Sequence, residues 1–433
     1  MVVKVIDAMM GSGKTSAMLN YINGAPATKK FIFVTPYLDE GQRLMDYCQT
    51  KEFVTPSAYD DPEHPGDQEP RSKMIDVKAF LANKKNIVTT HALFENFDAE
   101  TLQLISDGHY TLIIDEVPNI VEKLDVTPWD AKRIVDSTDQ DSNGMLIWKQ
   151  EEQNYRGLFL KYKFMADAGW LWYYGPTSVI SMFPPELFTS FDDVFLMTYL
   201  FDAQFQRCYF DLFDIPYEKW YVAGSSPETY HITPVPQPQR TITDLRNLIH
   251  ICYEKKLNQP YATSDQRSML ARGWYERHMN TQEMANLKNN TYNYFRHICS
   301  AKSTDVLWTT FRQRVNKYQR VQEGQDPPPP YFTPRGYSLG FLACNARATN
   351  KFRHKTVLAY LINRFPTPEV QGFFSSRGIK VERDRWALSE MIQWIWRSAI
   401  RDGKEIWIYI PSLRMRTLLE KWIDEVSGET AAA

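Results

Sequence analysis

The feature that most constrains this chain is a glycine-rich stretch at residues 8–15, which reads Ala-Met-Met-Gly-Ser-Gly-Lys-Thr. An apolar run at residues 2–6 precedes it and is typical of a buried strand, and residues 16–22 have the pattern of a helix. A glycine-rich turn between a strand and a helix lets backbone N–H groups surround a polyphosphate. The stretch begins with Ala8 where the phosphate-loop pattern has glycine, and the alternative interpretation is a flexible surface turn.

The residue types within this stretch favour a nucleotide-binding loop rather than a flexible surface turn. Gly11 and Gly13 let the backbone approach a ligand closely. Lys14 can reach the β- and γ-phosphates of a nucleotide, and the Thr15 hydroxyl is a ligand for Mg²⁺. We therefore expect a nucleoside triphosphate with Mg²⁺ as the bound cofactors. The expected nucleotide-binding residues are Ala8, Met9, Met10, Gly11, Ser12, Gly13, Lys14, Thr15 and Ser16.

Two adjacent carboxylates, Asp115 and Glu116, follow another apolar run at residues 111–114. At the C-terminal end of a parallel strand, both side chains can reach the edge of the sheet where a phosphate loop lies. We expect Asp115 to hold Mg²⁺ together with Thr15, and Glu116 to orient and deprotonate the attacking water. The alternative is a pair of acids that cap a helix, which Pro118 would permit.

Short apolar runs bounded by turns recur through the first half of the chain, and helical patterns lie between several of them. The runs are at residues 2–8, 31–36, 86–90, 111–116 and 193–198. Because they are continuous rather than alternating, they indicate strands buried on both faces of a mostly parallel sheet. We expect an ATP-binding domain at residues 1–212. Residues 125–185 break the rhythm and are rich in Trp and Tyr, so they form either a small subdomain facing a partner or nucleic acid, or a helical pair packed on the core.

A second series of apolar runs begins near residue 217. It comprises residues 219–224, 305–311, 340–345, 356–361 and 405–411, with helical stretches between them. It predicts a second α/β domain at residues 213–433, which has no second Gly-Lys-Thr sequence and therefore no second nucleotide site of its own. The expected fold class is α/β, with two domains of mostly parallel sheet and an insertion in the first.

Composition limits the function less than the motifs do. A net charge of −2 over 433 residues argues against a nucleic-acid coat protein, but a local basic groove remains compatible with it. The five cysteines are far apart, which indicates free thiols in a reducing compartment rather than disulfides or a zinc site. The sequence shows no secretory leader and no apolar run long enough to span a bilayer, so we expect a cytoplasmic protein without a membrane partner.

A helical pattern over residues 388–401 separates apolar from polar side chains. The apolar arc consists of Leu388, Met391, Ile392, Ile395, Trp396 and Ala399. Gln393, Arg397 and Arg401 lie on the opposite arc, where two guanidinium groups in line would suit a γ-phosphate. The alternative is a solvated face with ion pairs, for which Glu390 is the main acidic partner. The expected catalytic residues are therefore Lys14, Asp115, Glu116, Gln393, Arg397 and Arg401.

The order of these motifs resembles that of superfamily 2 helicases and translocases, especially the compact DEAD-like helicases of tailed phages. Residues 8–15 resemble motif I, residues 34–36 with Gln42 resemble motif Ia, residues 89–91 resemble motif Ib, and residues 115–118 resemble motif II. Residues 196–198 stand where motif III belongs, residues 306–311 resemble motif IV, and residues 345–350 resemble motif V. Gln393, Arg397 and Arg401 resemble motif VI.

The resemblance implies two tandem RecA-like domains with ATP between them and nucleic acid crossing both. The implied nucleic-acid contacts are Thr35, Pro36, Tyr37, Gln42, Thr89, Thr90, His91, Thr310, Arg312, Asn345, Arg347, Thr349 and Asn350. Thr198 is implied to couple ATP hydrolysis to nucleic-acid binding. Nothing before Val2 supplies a glutamine motif that reads adenine, so the sequence leaves base specificity open.

The function that the resemblance implies is an ATP-dependent helicase or translocase acting on single-stranded or branched nucleic acid. DNA is favoured over RNA, in phage DNA replication or recombination, with other replication proteins as further partners. The alternatives are a genome-packaging motor ATPase, a small-molecule kinase with a phosphate loop, and a nucleotide-gated nucleic-acid-binding scaffold. Translocation polarity and oligomeric state are not encoded in these motifs.

Overall fold

The computed structural model describes residues 1–36, 38–57, 73–175, 177–237, 245–258, 268–313, 327–346 and 351–429. These residues form two compact units. The first unit comprises residues 1–8, 12–237 and 367–381, and the second comprises residues 9–11, 238–366 and 382–433, within the described ranges. The chain therefore leaves the first unit and later returns to it.

The strands of the first unit belong to one large sheet and to smaller ones. In chain order they are β1 (Val3–Asp7), β2 (Lys30–Thr35), β3 (Phe53–Val54), β4 (Asn86–Thr90), β5 (Tyr110–Asp115), β6 (Val121–Lys123), β7 (Thr138–Gln140), β8 (Leu146–Trp148), β9 (Leu171–Tyr173), β10 (Val179–Met182), β11 (Asp193–Thr198), β12 (Tyr217–Ala223) and β13 (His231–Thr233). The large sheet has the order β13-β12-β1-β11-β5-β2-β4-β3, and only the β12–β13 pair is antiparallel.

Helices lie between most of these strands. They are α1 (Lys14–Gly24), α2 (Leu38–Tyr47), α3 (Lys73–Ala82), α4 (His91–Phe94), α5 (Ala99–Gly108), α6 (Pro128–Asp136), α7 (Leu160–Asp167), α8 (Glu186–Thr189) and α9 (Phe205–Leu212). The later helices are α10 (Leu245–Leu248), α11 (Lys255–Asn258), α12 (Arg272–His278), α13 (Gln282–Asn293), α14 (Pro368–Ser375), α15 (Arg383–Ile395) and α16 (Leu413–Glu429). Helix α14 belongs to the first unit and the others of this second set to the second unit.

Both faces of the large sheet are buried. Val5 and Ile114 pack into one hydrophobic cluster, whereas Ile6, Ile113 and Phe195 pack into another. Neighbouring residues of a strand point to opposite faces, so each continuous apolar run supplies both clusters. The structure therefore confirms the predicted α/β class with mostly parallel sheets.

The predicted boundary between residues 212 and 213 is wrong. Strand β12 pairs in parallel with β1, with Val3 opposite Tyr217, and therefore extends the first sheet. Val222 of this strand is buried in the same cluster as Ile6. The run at residues 219–224 has the same apolar character as the strands on either side of it, so its sequence alone does not assign it to a sheet.

The insertion between β5 and β11 is a small subdomain and not a helical pair. Strands β6, β10 and β9 form an antiparallel sheet, and β7 pairs with β8 in a hairpin. Its own hydrophobic cluster contains Leu146, Trp148 and Leu171 together with residues of α6 and α7. Its buried aromatic residues divide between this cluster, which contains Trp148, and the main core, which contains Trp172, whereas Trp129 is 77% exposed.

Helix α14 completes the core of the first unit from a distant part of the sequence. Phe373 and Phe374 are fully buried in the cluster that contains β5 residues. The Phe373 ring makes edge-to-face contact with Trp172 at a centroid distance of 6.2 Å, and Phe374 stacks on Phe205 at 5.9 Å. Lys123 forms an ion pair with Glu369 at the start of the helix.

The second unit contains a four-stranded parallel sheet. Its strands are β14 (Ile249–Ile251), β15 (Val306–Thr309), β16 (Val357–Tyr360) and β17 (Ile406–Tyr409), in the order β14-β17-β16-β15. All residues of β15 and β16 are buried. The Trp308 indole N–H donates to the Tyr337 carbonyl at 2.7 Å, which satisfies the polar atom of this large core side chain.

The predicted helix over residues 388–401 is wrong in its second half. Helix α15 ends at Ile395, and Ser398 has an extended backbone with φ −95° and ψ −169°. The Ser398 hydroxyl donates to the Ile395 carbonyl at 2.7 Å, which closes the helix end. Arg397 is therefore buried beyond the helix, and Arg401 lies in a separate 3₁₀ turn at Ala399–Asp402. The predicted apolar arc is buried throughout, but the three polar residues do not share a helical face.

Within the described parts of the chain, none of the helices combines the length and the apolar character that crossing a bilayer requires.

We expect Phe373→Ala to destabilise the first unit although it lies far from that unit in sequence. Replacing a fully buried phenylalanine with alanine typically costs about 3–5 kcal/mol. Amide hydrogen exchange should therefore accelerate at residues 171–182, while residues 357–360 of the second unit stay protected. Trp129→Ala is the matched control, since an exposed aromatic side chain should change stability by less than about 0.5 kcal/mol. Unchanged exchange at residues 171–182 would show that α14 is dispensable for this core.

Candidate nucleotide-binding site

The C-terminal ends of the parallel strands meet at one edge of the large sheet. Asp7 of β1 is in register with Thr198 of β11, and Met197 is in register with Asp115 of β5. Further along the same edge, Thr35 of β2 is in register with Thr90 of β4. Because open α/β sheets bind ligands at this edge, the register itself brings the sequence-predicted residues of the first unit together.

The turn after β1 has the backbone of a phosphate loop. Gly11 and Gly13 have φ values of 83° and 89°, in the left-handed region that non-glycine residues rarely adopt. Helix α1 begins at Lys14 directly after Gly13, and its first turn contains no acidic residue. The positive end of the helix dipole and the N-terminal amides are therefore not neutralised by a side-chain carboxylate of this turn, which favours an anion there.

Gly13 also lies in close contact with an aromatic ring. A Cβ atom at this position would come 2.4 Å from Cε2 and 2.5 Å from Cδ2 of Tyr230, which precedes β13. Both the backbone conformation and the ring therefore exclude a side chain at residue 13. Local sequence patterns do not reveal Tyr230 as a neighbour of the loop, because the contact joins residues 217 positions apart in the sequence.

The backbone of β11 connects the phosphate loop to the acid pair. Ala8 N–H donates to the Thr198 carbonyl at 3.1 Å, and Glu116 N–H donates to the preceding carbonyl, Met197, at 3.2 Å. The Lys14 ammonium donates to the Ala8 carbonyl and so lies folded over the loop. A displacement of β11 would therefore move both the phosphate loop and the backbone of Glu116.

Asp115 and Glu116 are held in different ways. Thr15 and Asp115 line the same small pocket, with Glu40 and Arg43 of α2 at its side. A hydroxyl and a carboxylate are hard oxygen donors, which fit Mg²⁺. Glu116 has a left-handed backbone with φ 61°, a conformation that costs a non-glycine residue about 1–2 kcal/mol. In the described residues, no cluster of three or more His, Cys, Asp or Glu side chains is arranged to hold a metal ion.

His91 and Thr90 attach the end of β4 to this region. His91 Nε2 donates to the Asp115 backbone carbonyl at 3.1 Å, which places the proton on that nitrogen. The Thr90 hydroxyl accepts from Leu93 N–H at 3.3 Å and caps α4. His91 is thus a link between the acid pair and the segment that the sequence analysis predicted to contact nucleic acid.

Asp7 is a site residue that the sequence analysis missed. Its Oδ2 accepts from Phe201 N–H at 3.1 Å, while its Oδ1 is buried without a hydrogen-bond partner in the described structure. Burial raises the pKa of the Asp7 carboxyl, and this effect outweighs the opposing influence of the Phe201 hydrogen bond, Lys219 and Lys14. The only signal in the sequence is an acid at the end of a buried strand, directly before the phosphate loop.

The predicted nucleic-acid contacts of the first unit differ in accessibility. Thr35 and Thr89 are at most 1% exposed, so their side chains face the core and not a ligand surface. Strands β2 and β4 are covered on both faces of the sheet, so successive side chains along them are buried. Gln42 is exposed and donates to Asp46 at 2.9 Å, Pro36 is half-buried, and Tyr37 lies outside the described residues.

Two of the predicted contacts of the second unit, Thr310 and Arg312, directly follow β15. Thr310 is buried, and the Arg312 guanidinium lies 4.9 Å from the centroid of Phe341 and donates to the Pro328 carbonyl at 2.6 Å. Asn345 is exposed, whereas Arg347, Thr349 and Asn350 lie outside the described residues. Gln393 is half-buried, and Glu390, three residues before it, forms an ion pair with Arg364.

Comparison with known proteins finds one close relative in sequence. The chain is 38% identical over 429 residues to the SPbeta prophage-derived uncharacterized protein YonV of Bacillus subtilis strain 168, and the match covers 98% of each chain. Residues 243–423 match the family described as the YonV C-terminal Rossmann-like domain. This agrees with the parallel sheet of the second unit.

Solved structures show weaker similarity. The S. tokodaii Xpd4 structure matches with a TM-score of 0.40 and 14% identity, covering 97% of this chain and 94% of that one. The crystal structure of the DUF1998 helicase MrfA bound to DNA and AMPPNP matches with a TM-score of 0.33 and 11% identity. It covers 98% of this chain but only 48% of the MrfA chain.

We expect Gly13→Ala and Gly24→Ala, at opposite ends of α1, to have opposite effects on the first unit. At residue 13 a Cβ would meet Tyr230 and a left-handed backbone, whereas at residue 24 it would meet no atom within 4 Å. The left-handed backbone alone costs about 1–2 kcal/mol, and alanine within a helix gains about 0.5–1 kcal/mol over glycine. Urea unfolding of the two variants checks this, and equal stabilities would contradict the loop conformation.

Proposed function

The chain belongs to the YonV family, and we propose that its first unit binds ATP with Mg²⁺ at the phosphate loop and hydrolyses it to drive movement along nucleic acid. The observation that carries the proposal is the convergence at one sheet edge of the left-handed glycine turn, the N-terminus of α1 and the Asp115–Glu116 pair. Each of these features has a defined task in phosphoryl transfer.

The residues of the loop bind and orient the triphosphate. Amides of residues 11–15 and the N-terminus of α1 donate to phosphate oxygens, and Lys14 exchanges the Ala8 carbonyl for the β- and γ-phosphates. Thr15 and Asp115 would hold Mg²⁺, which when bound neutralises charge on the phosphate oxygens. Glu116 orients the attacking water and takes up its proton.

The β11 segment is proposed to transmit the state of the nucleotide. Consecutive carbonyls of this strand accept from the phosphate loop and from the acid pair. The Thr198 hydroxyl accepts from Gln204 Nε2 at 2.8 Å, and Gln204 also donates to the Tyr199 carbonyl at 2.8 Å. A rearrangement at the γ-phosphate would therefore move the segment before α9 as one piece, which supports a coupling role for Thr198.

The nucleic-acid part of the proposal rests on the order of the motifs and on the exposed residues among them. The motifs resemble those of superfamily 2 helicases and translocases, and Gln42 and Asn345 are exposed. We propose single-stranded or branched DNA as the substrate, in phage DNA replication or recombination. A packaging-type motor or a nucleotide-gated scaffold would share the phosphate loop, and stimulation of ATP hydrolysis by single-stranded DNA would exclude the scaffold.

Lys14→Ala and Glu116→Gln test the chemistry. We expect Lys14→Ala to lose ATP hydrolysis, and Glu116→Gln to retain ATP binding while its kcat falls by about 10²–10⁴-fold, the usual contribution of a general base. The measurement is phosphate release with and without single-stranded DNA, and Lys132→Ala, an exposed lysine of the insertion, is the control. A kinase or a scaffold would show no stimulation by DNA. Full activity of Glu116→Gln would remove this residue from the mechanism.

Arg397 and Arg401 stay predicted as arginine fingers, and this prediction rests on the resemblance to motif VI alone. If it holds, Arg397→Ala binds ATP normally but loses strand-stimulated turnover by about 10³-fold. Since Arg397 is buried, thermal unfolding must first show that the variant folds, and Arg401→Ala provides a more exposed second variant. Stimulated ATPase activity at the wild-type level in both variants would show that the assignment is wrong.

A further inference from the structure

The loop between β12 and β13 places an aromatic ring beside the phosphate loop. Tyr230 is half-buried, and the edge of its ring occupies the space that a Cβ of Gly13, the last residue before α1, would need. The ring is also in contact with the cluster that contains Ile6 and Met18. An aromatic ring does not bind phosphate, so Tyr230 has no part in the phosphate chemistry described above.

Several hydrogen bonds determine where this ring lies. Asn20 of α1 donates to the carbonyls of Pro227 and Tyr230 at 2.9 and 2.8 Å. Within the loop, the Thr229 hydroxyl accepts from the N–H groups of Ser225 and Ser226, both at 3.0 Å. The loop is thus attached to the same helix whose N-terminus is proposed to bind the phosphates. The ring is pre-organised relative to that terminus, which lowers the ordering cost of any ligand it touches.

The strand order indicates which end of a nucleotide would meet this ring. Strands β11 and β5, with Asp115 and Glu116, lie on one side of β1, and strands β12 and β13 lie on the other. The γ-phosphate must be on the side of the acids, because hydrolysis and the metal ligands are there. The nucleoside end of the same molecule therefore extends from the loop away from β5, toward the β12–β13 loop.

We infer that Tyr230 is the platform on which the base of the bound nucleotide stacks, and that residues 225–228 form the polar rim of this base subsite. An aromatic ring stacks on the π-face of any base, so Tyr230 would supply affinity for the base without distinguishing one base from another. The choice between bases would then depend on the rim residues. Ser225 and Glu228 of this rim are exposed and carry hydrogen-bonding groups suited to a base or ribose. The inference rests on the proposed function, since it concerns the same nucleotide.

The test compares a ligand with a base and a ligand without one. Calorimetry measures the Kd of Mg²⁺–ATP and of Mg²⁺–tripolyphosphate for the full chain and for Tyr230→Leu, Tyr230→Phe and Tyr221→Leu. Leucine keeps an apolar side chain against the core but has no π-face. Tyr221 lies in β12 of the same hairpin and is the matched control. Thermal unfolding of each variant confirms that it is folded.

We expect Tyr230→Leu to weaken ATP binding about tenfold, in line with the loss of one aromatic–base stack, while the Kd for tripolyphosphate stays unchanged. Tyr230→Phe and Tyr221→Leu should bind both ligands as the wild type does. Equal weakening of both ligands would overturn the inference and make Tyr230 a brace for the loop, and so would unchanged ATP binding. A wild-type chain that binds neither ligand would overturn the proposed function itself, and the base subsite with it.

Discussion

The arrangement of the first unit depends on the burial of β1 between two parallel strands. Pairing with β11 on one side and β12 on the other leaves this strand a single register, in which Asp7 is opposite Thr198 and Val3 is opposite Tyr217. A slip of one residue would turn Val5 and Ile6 toward the wrong hydrophobic clusters. The position of the phosphate loop is therefore set by packing that lies well away from any ligand.

Two features of the candidate site lower the stability of the folded chain. Glu116 has a left-handed backbone, and the Asp7 carboxyl is buried with one oxygen lacking a partner in the described structure. Such features typically cost about 1–3 kcal/mol each, and they persist only where the surrounding structure over-determines them. Here the surrounding structure is the core on both sheet faces, together with the hydrogen bonds from Ala8 and Glu116 to β11.

The sequence predicted local features well and long-range ones poorly. Continuous apolar runs such as that of β5 identified buried parallel strands, and the glycine-rich turn identified the loop, because both depend on neighbouring residues. The boundary at residue 212, the returning α14 and the contact of Tyr230 with Gly13 depend on pairing between distant segments. The predicted helix over residues 388–401 extends beyond the actual helix end at Ile395, because hydrophobic periodicity does not reveal the extended backbone at Ser398. Likewise, the cover on both faces of the large sheet buries Thr35 and Thr89, although a motif comparison treats both as accessible.

The most direct test of the account is a structure of the chain with Mg²⁺ and a non-hydrolysable ATP analogue. The account predicts that amides of residues 11–15 surround the phosphates, that Lys14 leaves the Ala8 carbonyl, and that Mg²⁺ lies between the Thr15 hydroxyl and Asp115. A nucleotide bound elsewhere, or a loop that stays unchanged at saturating analogue with no density beside it, would contradict it.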